Sequence, residues 1–363
     1  MLRSRALTGG DWETELERPW KALVSESATA TPFQTWEWQT TWWKHYARTR
    51  RPLIFAAYEG DDLIGLMPLM KSGGPWRTVR AMCSGASDYL HPLVRTGYES
   101  SCAEQLHSFL EELGDVDLVD LHQLRETTPL AGLMEGAKVV EQATCLVLDL
   151  PSTFDEYLAT LNKSLRFDVR KLDKELFTSG RARIEEVGLD SLDRAMETFF
   201  ETHRMRWRKR GLPGAFIGSR TERFHREWAG LALQNGWLWM SILHFDGKAV
   251  GTIYAMRLGK GCFYYQAGFD PEASSISPGT LLVGHTIRRA ISEGLTTFDF
   301  LRGDEPYKRR WKPQHEYKNL RFILPSRGLL GKMGQAWNEV GSRVEGKVRA
   351  RLEGGELMPG KRK

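Results

Sequence analysis

Apolar and polar residues follow the same order in two parts of the chain. Between residues 53 and 122, the pattern predicts two strands joined by a turn, a third strand, a helix and a further strand. The same order returns between residues 238 and 302, where Asp246-Gly247 marks a two-residue hairpin turn. Val119-Asp120-Leu121 and Phe298-Asp299-Phe300 occupy matching places in the two series. We therefore predict an α/β fold with mixed sheets, built from two halves that are related by a diverged internal duplication.

A helical region separates these halves. Apolar residues at helical spacing predict three linking helices, at 153–176, 189–207 and 220–235. After Pro325 the chain is basic and amphipathic, which predicts a C-terminal helix that docks on a domain, a partner or an anionic membrane surface. The expected domains are thus 1–150, 151–325 and a basic tail at 326–363.

The start of the second-half helix has the features of an anion site. A strand at 262–269 precedes Ser277-Pro278-Gly279-Thr280, in which Ser277 is a favourable N-cap and Pro278 suits the first helical position. Gly294 is expected to end this helix. The first amides of a helix lack internal partners, so phosphate binding and a simple cap are both possible interpretations. In the first half, Glu99 stands near the helix start and would repel phosphate, so we expect an anionic cofactor in the second half.

Composition narrows the class of protein. The chain has 363 residues and a net charge of +5, which is too small to demand nucleic acid as a partner. The cysteines are far apart and form no CxxC pair, which predicts reduced thiols rather than disulfides or a zinc site: Cys83, Cys102, Cys145 and Cys262. The sequence shows no apolar run typical of a signal peptide or a membrane helix, so we expect a cytoplasmic protein.

Three stretches resemble one group of acyltransferases. They are 299–308 (DFLRGDEPYK), Ser277-Pro278-Gly279 and 203–207 (HRMRW). With the order of elements, they look like the GNAT superfamily, and within it the subfamily of CelD-type cellulose-biosynthesis proteins. That subfamily is related to the FemAB-like transferases, which also have two GNAT-like halves. The resemblance covers residues 30 to 325 and implies a degenerate GNAT-like first half and an acyltransferase second half.

The resemblance implies a donor and the residues that hold it. The donor would be acetyl-CoA or a related acyl-CoA, used without a metal to acylate an amine or a hydroxyl. The amides of Gly279 and Thr280 would bind the pyrophosphate, and the strand that carries Tyr265 and Gln266 would pair with the pantetheine arm. The common GNAT signature Gln/Arg-x-x-Gly-x-Gly/Ala is absent; only Ser277–Thr280 stands at that point.

Acyl transfer by this fold needs groups that move protons. Asp299, at a strand end, and Asp304, on the following loop, are candidate bases. Tyr307 is the candidate donor of a proton to the leaving thiolate. A structural role is the alternative for each: Asp299 as an acceptor for local amides, and Tyr307 as a packing partner of Trp311.

Polar residues from several parts of the chain are candidates for binding the acceptor. They are Asp88, Tyr89, His91, His203, Arg206, Arg302 and Lys308. Asp88 has an ordered turn as its structural alternative. Arg302 and Lys308 either bind an anionic group of the substrate or steady Asp304 in a local ion pair.

Three functions are compatible with these observations. The first is acyl transfer from acyl-CoA to a sugar or amine acceptor in exopolysaccharide or cellulose synthesis. The second is FemAB-like aminoacyl transfer from charged tRNA. The third is a non-catalytic scaffold of a polysaccharide synthase, with the basic tail as its contact to the synthase or to the inner face of the membrane.

Overall fold

The computed structural model describes residues 2–325 except for 74–75, 134–136, 173, 175–176, 210, 212–213 and 215. The predicted basic tail, 326–363, lies outside the described residues. The described chain forms two compact units. Unit 1 contains 2–27, 49–142 and 318–325, and unit 2 contains 28–48 and 143–317. Residues 28–48 thus belong to the second unit, although the domain boundaries expected from the sequence place them in the first.

The elements follow in chain order. The strands are β1 (Leu2–Leu7), β2 (Arg51–Glu59), β3 (Asp62–Ser72), β4 (Thr78–Ala81), β5 (Leu93–Val94), β6 (Leu118–Arg125), β7 (Lys138–Asp149), β8 (Ala182–Glu186), β9 (Leu238–Phe245), β10 (Lys248–Leu258), β11 (Gly261–Phe269), β12 (Thr297–Arg302) and β13 (His315–Pro325). The α-helices are α1 (Trp12–Glu26), α2 (Trp36–Tyr46), α3 (Glu99–Glu111), α4 (Pro129–Leu133), α5 (Phe154–Thr160), α6 (Lys163–Leu172), α7 (Leu192–Arg208), α8 (Ser219–Gln234), α9 (Pro278–Ser292) and α10 (Pro306–Arg309).

Unit 1 has a mixed sheet in the order β1-β2-β3-β4-β6, completed by the unit 1 part of β13. Neighbouring strands along this path are antiparallel except for β4 and β6, which pair in parallel at Thr78–Val79 and Leu118–Val119. Helix α3 lies in the chain between these two strands, as a parallel pair requires a crossover.

Unit 2 repeats this arrangement. Its order is β8-β9-β10-β11-β12-β7, and β11 and β12 form the parallel pair, with α9 as the crossover. Each unit therefore has four strands in antiparallel succession, a parallel step and a final antiparallel strand. The mixed α/β class and the repeated halves are confirmed.

Local turn chemistry fixes the elements that the sequence predicted well. Asp246 and Gly247 both have positive φ, 46° and 81°, as the central residues of a type I′ hairpin require. At the end of α9, Gly294 has φ 69°, and Leu295 donates to the Ala290 carbonyl at 2.9 Å. Gly294 is thus the predicted C′ residue, in a Schellman motif.

The linker helix predicted at 153–176 is instead two helices. After α5 the backbone of Leu161 is extended (ψ 155°), and α6 starts at Lys163. Leu158, Leu161 and Leu165 are nevertheless all buried in the core beneath α9. The apolar spacing thus predicted the buried residues correctly. Two helices with a break at Leu161, rather than one continuous helix, bury them.

None of the helices in the described part of the chain is long and apolar enough to cross a membrane.

Candidate functional site

The parallel strands of unit 2 separate after three residue pairs. Gly261, Cys262 and Phe263 of β11 pair with Thr297–Asp299 of β12, and no pair follows among the described residues. Just beyond this point β11 has a bulge, because Tyr254 of β10 pairs with Gln266 whereas the next residue of β10 pairs with Tyr264. Tyr265 is the extra residue. The C-terminal half of β11 therefore offers backbone groups on the side that β12 has left.

Helix α9 starts beyond the end of β11 with an amide that lacks a backbone partner among the described residues. The Thr280 amide donates to the Ser277 carbonyl at 2.9 Å, whereas the Gly279 amide makes no backbone hydrogen bond to a described residue. A Cβ atom at Gly279 would meet no heavy atom within 4 Å. Pro278 is buried at the first helical position, as predicted, and packs against Gly251. Of the two amides predicted to bind pyrophosphate, that of Gly279 is therefore the better placed.

Ser277 does not cap this helix in the way the sequence predicted. Its backbone is left-handed (φ 49°, ψ 60°), and its side chain makes no capping hydrogen bond. The Ser277 carbonyl accepts from Thr280 and Leu281 instead. The reason is conformational: an N-cap side chain reaches the helix from extended backbone, which Ser277 does not have.

Asp299 occupies the last position of β12 that pairs with β11. Its side chain is buried, and Oδ1 accepts a hydrogen bond from the Leu301 amide at 2.7 Å. Leu301 has a positive φ of 56°, so this bond supports strained backbone in the irregular part of β12, between its pairs with β7 at Asp299 and Arg302. The local amide partner is the structural alternative that we considered for Asp299.

Two tyrosines meet at the separated strands. Burial raises the pKa of Tyr264 well above its ordinary value, and Tyr307, which shares a hydrogen bond with it, raises it further. The positive charges of Arg206 and Lys308 act in the opposite direction, because they favour the ionised form of Tyr264. Arg206 donates to the Ala267 carbonyl at 3.1 Å, and its buried Nε atom has no partner among the described residues.

The loop from 302 to 309 is held by a buried lysine. Lys308 Nζ donates to the carbonyls of Arg302 (2.7 Å) and Gly303 (3.1 Å) and pairs with the Glu305 carboxylate at 2.9 Å. Asp304 pairs with Arg309, not with Lys308 or Arg302 as we had considered. Asp304 is exposed, so it faces solvent as a carboxylate with one arginine partner.

His203 is fixed on α7 by two glycines. A Cβ atom at Gly268 of β11 would lie 2.4 Å from the His203 amide nitrogen, and one at Gly214 would lie 2.8 Å from Cε1 of the ring. Burial lowers the pKa of His203 to about 4, with a contribution from the charges of Arg206 and Arg204. The imidazole is therefore neutral at pH 7.

A sequence comparison shows what the segment around this site is similar to. Residues 163–309 match the family model described as Acetyltransferase (GNAT) domain. The match lies within unit 2 and contains the bulge of β11, the start of α9 and the loop held by Lys308. No curated protein matches the chain at the sequence level.

Solved structures show the same architecture along the chain. FemX matches with a TM-score of 0.62 and 11% identity, over 86% of this chain and 96% of FemX. The L-PGS of Bacillus licheniformis matches with a TM-score of 0.54 and 13% identity, over 88% and 95%. A tandem GNAT protein from the clavulanic acid biosynthesis pathway matches with a TM-score of 0.50 and 12% identity, over 90% and 98%. At these identities the likeness is one of fold.

Unit 2, which contains the match to the GNAT model, holds most of the predicted site residues, but three lie in unit 1. Asp88, Tyr89 and His91 are all buried there. The Asp88 carbonyl accepts from Asn319 at 2.7 Å, and the guanidinium of Arg125 lies 4.2 Å from the centre of the Tyr89 ring. Their predicted role in binding the acceptor stays a prediction.

In unit 1 the strand that corresponds to β12 has a different electrostatic environment. Asp120 of β6 is fully buried and pairs with Arg321 (2.7 Å), Arg80 (3.0 Å) and His122 (3.1 Å). The hydrogen bonds and charges of His122 and Arg321 lower its pKa despite burial. Glu99 at the start of α3 accepts from the Gly97 amide at 2.9 Å and adds negative charge there. Binding of an anionic cofactor to the second half rather than the first stays a prediction.

Sequence reasoning missed two residues of the segment that matches the GNAT model. Tyr264 was assigned only to a strand, although the period-two alternation with Cys262 places both in the core beneath α9. His225 of α8 was not singled out, because a lone histidine in an amphipathic helix gives no distinguishing signal. Its position beside Tyr265 emerges only from the tertiary structure.

Proposed function

We propose that this protein transfers an acyl group from acyl-CoA to the amine or hydroxyl of a small-molecule or saccharide acceptor. One observation carries the proposal: the GNAT match at 163–309 coincides with a strand, β11, that leaves its parallel neighbour and leads to the open amide of Gly279. Acetyl-CoA is the smallest donor of this class and the first to test.

The residues present fit a phosphorylated donor. The Gly279 amide and the partial positive charge of the α9 N-terminus suit a phosphate, and the absence of a side chain at Gly279 permits close approach. Backbone groups of β11 around Tyr265 and Gln266 suit the pantetheine arm, which would add to the sheet as a further strand. Arg206, with its unpaired Nε, supplies positive charge beside this strand.

We assign the acid and base roles to Tyr307 and Asp304, and a supporting role to Asp299. Tyr307 shares a hydrogen bond with the less acidic Tyr264, and we assign it the transfer of a proton to the leaving thiolate. Asp304 is the accessible carboxylate of the loop held by Lys308, and we assign it the removal of the acceptor proton. Asp299 supports the turn at Leu301 that directs the chain into this loop.

The class of acceptor follows from the sequence resemblance. The stretch 299–308 resembles CelD-type proteins of cellulose biosynthesis, which favours a sugar or an amino sugar of an exopolysaccharide. The tail at 326–363 is basic, and we propose it as a contact with an anionic membrane surface or with a polysaccharide synthase.

Calorimetric titration with acetyl-CoA and with CoA tests the donor. We expect micromolar binding that is lost in Gly279→Glu, because the new carboxylate would occupy the phosphate position at the helix start. Gly132→Glu is the matched control, since Gly132 also lies in a helix of the GNAT-like unit 1 with no heavy atom within 4 Å of its Cβ position. Absence of binding by either ligand would refute the acyl-CoA proposal.

Aminoacyl transfer from charged tRNA is the second candidate. The FemAB-like resemblance of the sequence and the match to the fold of FemX favour it. Retention of tRNA on the immobilised protein at low salt, lost steeply as salt increases, would support this alternative. A protein that binds neither acyl-CoA nor tRNA would instead fit a scaffold role.

A further inference from the structure

Two buried imidazole nitrogens of unit 2 have no hydrogen-bond partner among the described residues. They are Nε2 of His203 on α7 and Nδ1 of His225 on α8, and these residues expose only 1% and 2% of their surfaces. Buried polar groups in native proteins are nearly always paired with protein, water or a ligand. Each of these atoms can therefore form a hydrogen bond with a water molecule or with a ligand.

Both imidazoles belong to one aromatic cluster. The Phe216 ring lies between them, with its centre 4.8 Å from that of His203 and 4.7 Å from that of His225. His225 lies 5.7 Å from Tyr265, which lies 5.5 Å from Tyr254. We define the aromatic cluster as Trp38, His203, Phe216, His225, Tyr254 and Tyr265.

The aromatic cluster adjoins the point at which the proposed donor would end. Tyr265 is the bulged residue of β11, close to where this strand leaves β12. From Phe269, at the end of β11 nearer to α9 in the chain, the strand leads back four residues to Tyr265, about 13 Å at ~3.3 Å per residue. A donor with its phosphates at Gly279 and its arm along β11 would thus bring its acyl group to Tyr265. This step rests on the proposed function.

The hydrogen-bonding groups of the cluster carry no charge at pH 7. Burial lowers the pKa of His225 to about 3 and that of His203 to about 4. A neutral imidazole offers one donor and one acceptor, so the pair suits a hydroxyl or an amide. The positive charges of Arg204 and Arg206 near His203 disfavour a cationic ligand.

We propose that the aromatic cluster binds the acyl group of the donor, and that this group is uncharged, larger than acetyl, and bears a hydroxyl or an amide. Small-molecule sites are commonly lined by aromatic side chains with a few polar groups that fix orientation. A site built to hydrogen-bond a substrate hydroxyl discriminates strongly against the analogue that lacks it, because its own polar groups then stay unpaired. His203 and His225 are the residues that determine this specificity.

A matched pair of donors tests the proposal on the wild-type protein. Butyryl-CoA and 3-hydroxybutyryl-CoA differ by one hydroxyl, and acetyl-CoA and CoA serve as references in calorimetric titrations. We expect 3-hydroxybutyryl-CoA to bind at least about tenfold more tightly than butyryl-CoA. This comparison of two ligands does not depend on the folding of a variant.

Variants then locate the preference. His203→Phe and His225→Phe keep an aromatic ring but remove the hydrogen-bonding nitrogens. We expect each to abolish the preference for the hydroxylated donor while CoA itself binds as in the wild type. His107→Phe, on α3 of unit 1, is the matched control and should retain the preference.

The outcomes separate this proposal from the proposed function. Equal affinity for all three acyl-CoA donors would overturn the acyl site and leave water as the partner of the two imidazoles, with the acyl-CoA function intact. A preference that persists in both histidine variants would also overturn it. Failure of every donor and of CoA to bind would refute the proposed function itself.

Discussion

The Nζ atom of Lys308 lies 2.7 Å from the backbone carbonyl oxygen of Arg302, six residues earlier in the chain. The lysine side chain is almost fully buried and also contacts the carbonyl of Gly303 and the carboxylate of Glu305. All three partners of this ammonium group are thus acceptors from the loop that carries Asp304. Lys308 supports this loop from beneath, so we propose that it is a positioning residue; the contact with an anionic substrate group, one of the two roles considered from the sequence, stays a prediction.

Replacement of Lys308 should therefore affect both stability and catalysis. Lys308→Met keeps the length of the side chain but leaves the carbonyls of Arg302 and Gly303 without their buried donor. We expect a loss of about 2–3 kcal/mol in the free energy of unfolding, measured in urea, because hydrogen bonds to charged groups carry that weight. We also expect kcat to fall while KM for the donor changes little, because the Asp304 loop loses its support.

Arg310→Met is the control for this prediction. Arg310 is in the same segment, but it is exposed and its ion pair with Asp168 spans 3.2 Å at the surface. Such pairs contribute less than about 1 kcal/mol. Similar losses in Lys308→Met and Arg310→Met would contradict the positioning role.

The buried pair of Asp120 and Arg321 predicts a pH-dependent contribution to the stability of unit 1. The pKa of Asp120 is lowered by His122 and Arg321 in the folded protein, whereas an unfolded aspartate has a pKa of about 3.9. The stabilisation is thus complete above pH 4 and decreases as the pH falls below it. Asp120→Asn should cost about 3 kcal/mol at pH 7, because Arg321 stays buried without its charge partner.

Unfolding experiments between pH 6 and pH 2 test this prediction. The difference between wild type and Asp120→Asn should shrink as the pH falls from 4 to 2. Asp61→Asn, which removes a fully exposed partner of Arg3, should show no such difference. A constant difference over the whole range would mean that the charge of Asp120 is not what stabilises the unit.

The two buried histidines of unit 2 also predict that acid destabilises the protein, but for a different reason. Acid here adds a positive charge to a buried neutral imidazole. Their pKa values in the folded protein, about 4 for His203 and about 3 for His225, lie below the ordinary value of about 6.5. The unfolded chain therefore binds protons first, and the free energy of unfolding should fall as the pH drops from 6.5 towards 4. The expected loss is on the order of 3 kcal/mol for each group, at about 1.4 kcal/mol per pKa unit.

His225→Phe removes one of these groups. The variant should lose less stability than wild type between pH 6.5 and pH 4, whereas His107→Phe on α3 should follow the wild type. Parallel curves for wild type and His225→Phe would show that His225 does not titrate differently in the folded and unfolded chain.

The sequence predicted the elements that are determined by residues close together in the chain. Asp246-Gly247 defines its hairpin by turn chemistry, and Pro278 and Gly294 bracket α9, so these features were found within a residue or two. Strands β8 and β13 were missed, since their polar residues break the alternation that indicates a strand. Neither pairing partners nor the assignment of residues 28–48 to unit 2 follows from local pattern, because both depend on contacts between distant parts of the chain.

The candidate site was predicted by residue type more successfully than by role. The charged run at 302–310 suggested exposed groups, and only the structure shows that Lys308 is buried while Arg309, not Lys308, pairs with Asp304. Lys308 is buried because the loop folds so that its ammonium group reaches the carbonyls of Arg302 and Gly303, and the sequence does not show this fold. Likewise, serine is a favoured N-cap residue, but Ser277 has a left-handed backbone. The residue type alone does not reveal this conformation.

The close approach of α7 to β11 yields the final prediction. A Cβ atom at Gly268 would lie 2.4 Å from the His203 amide and 2.5 Å from the Thr202 hydroxyl, and the first of these is backbone that has no room to move. Gly268→Ala should therefore separate α7 from β11 and cost about 3 kcal/mol or somewhat more in unfolding free energy. Gly279→Ala adds the same methyl group in open space at the start of α9, so it should be close to neutral in stability. Thermal unfolding of both variants tests this prediction. Equal melting temperatures would mean that α7 moves away from β11 without loss of stability. His203 would then not be held in place by this contact.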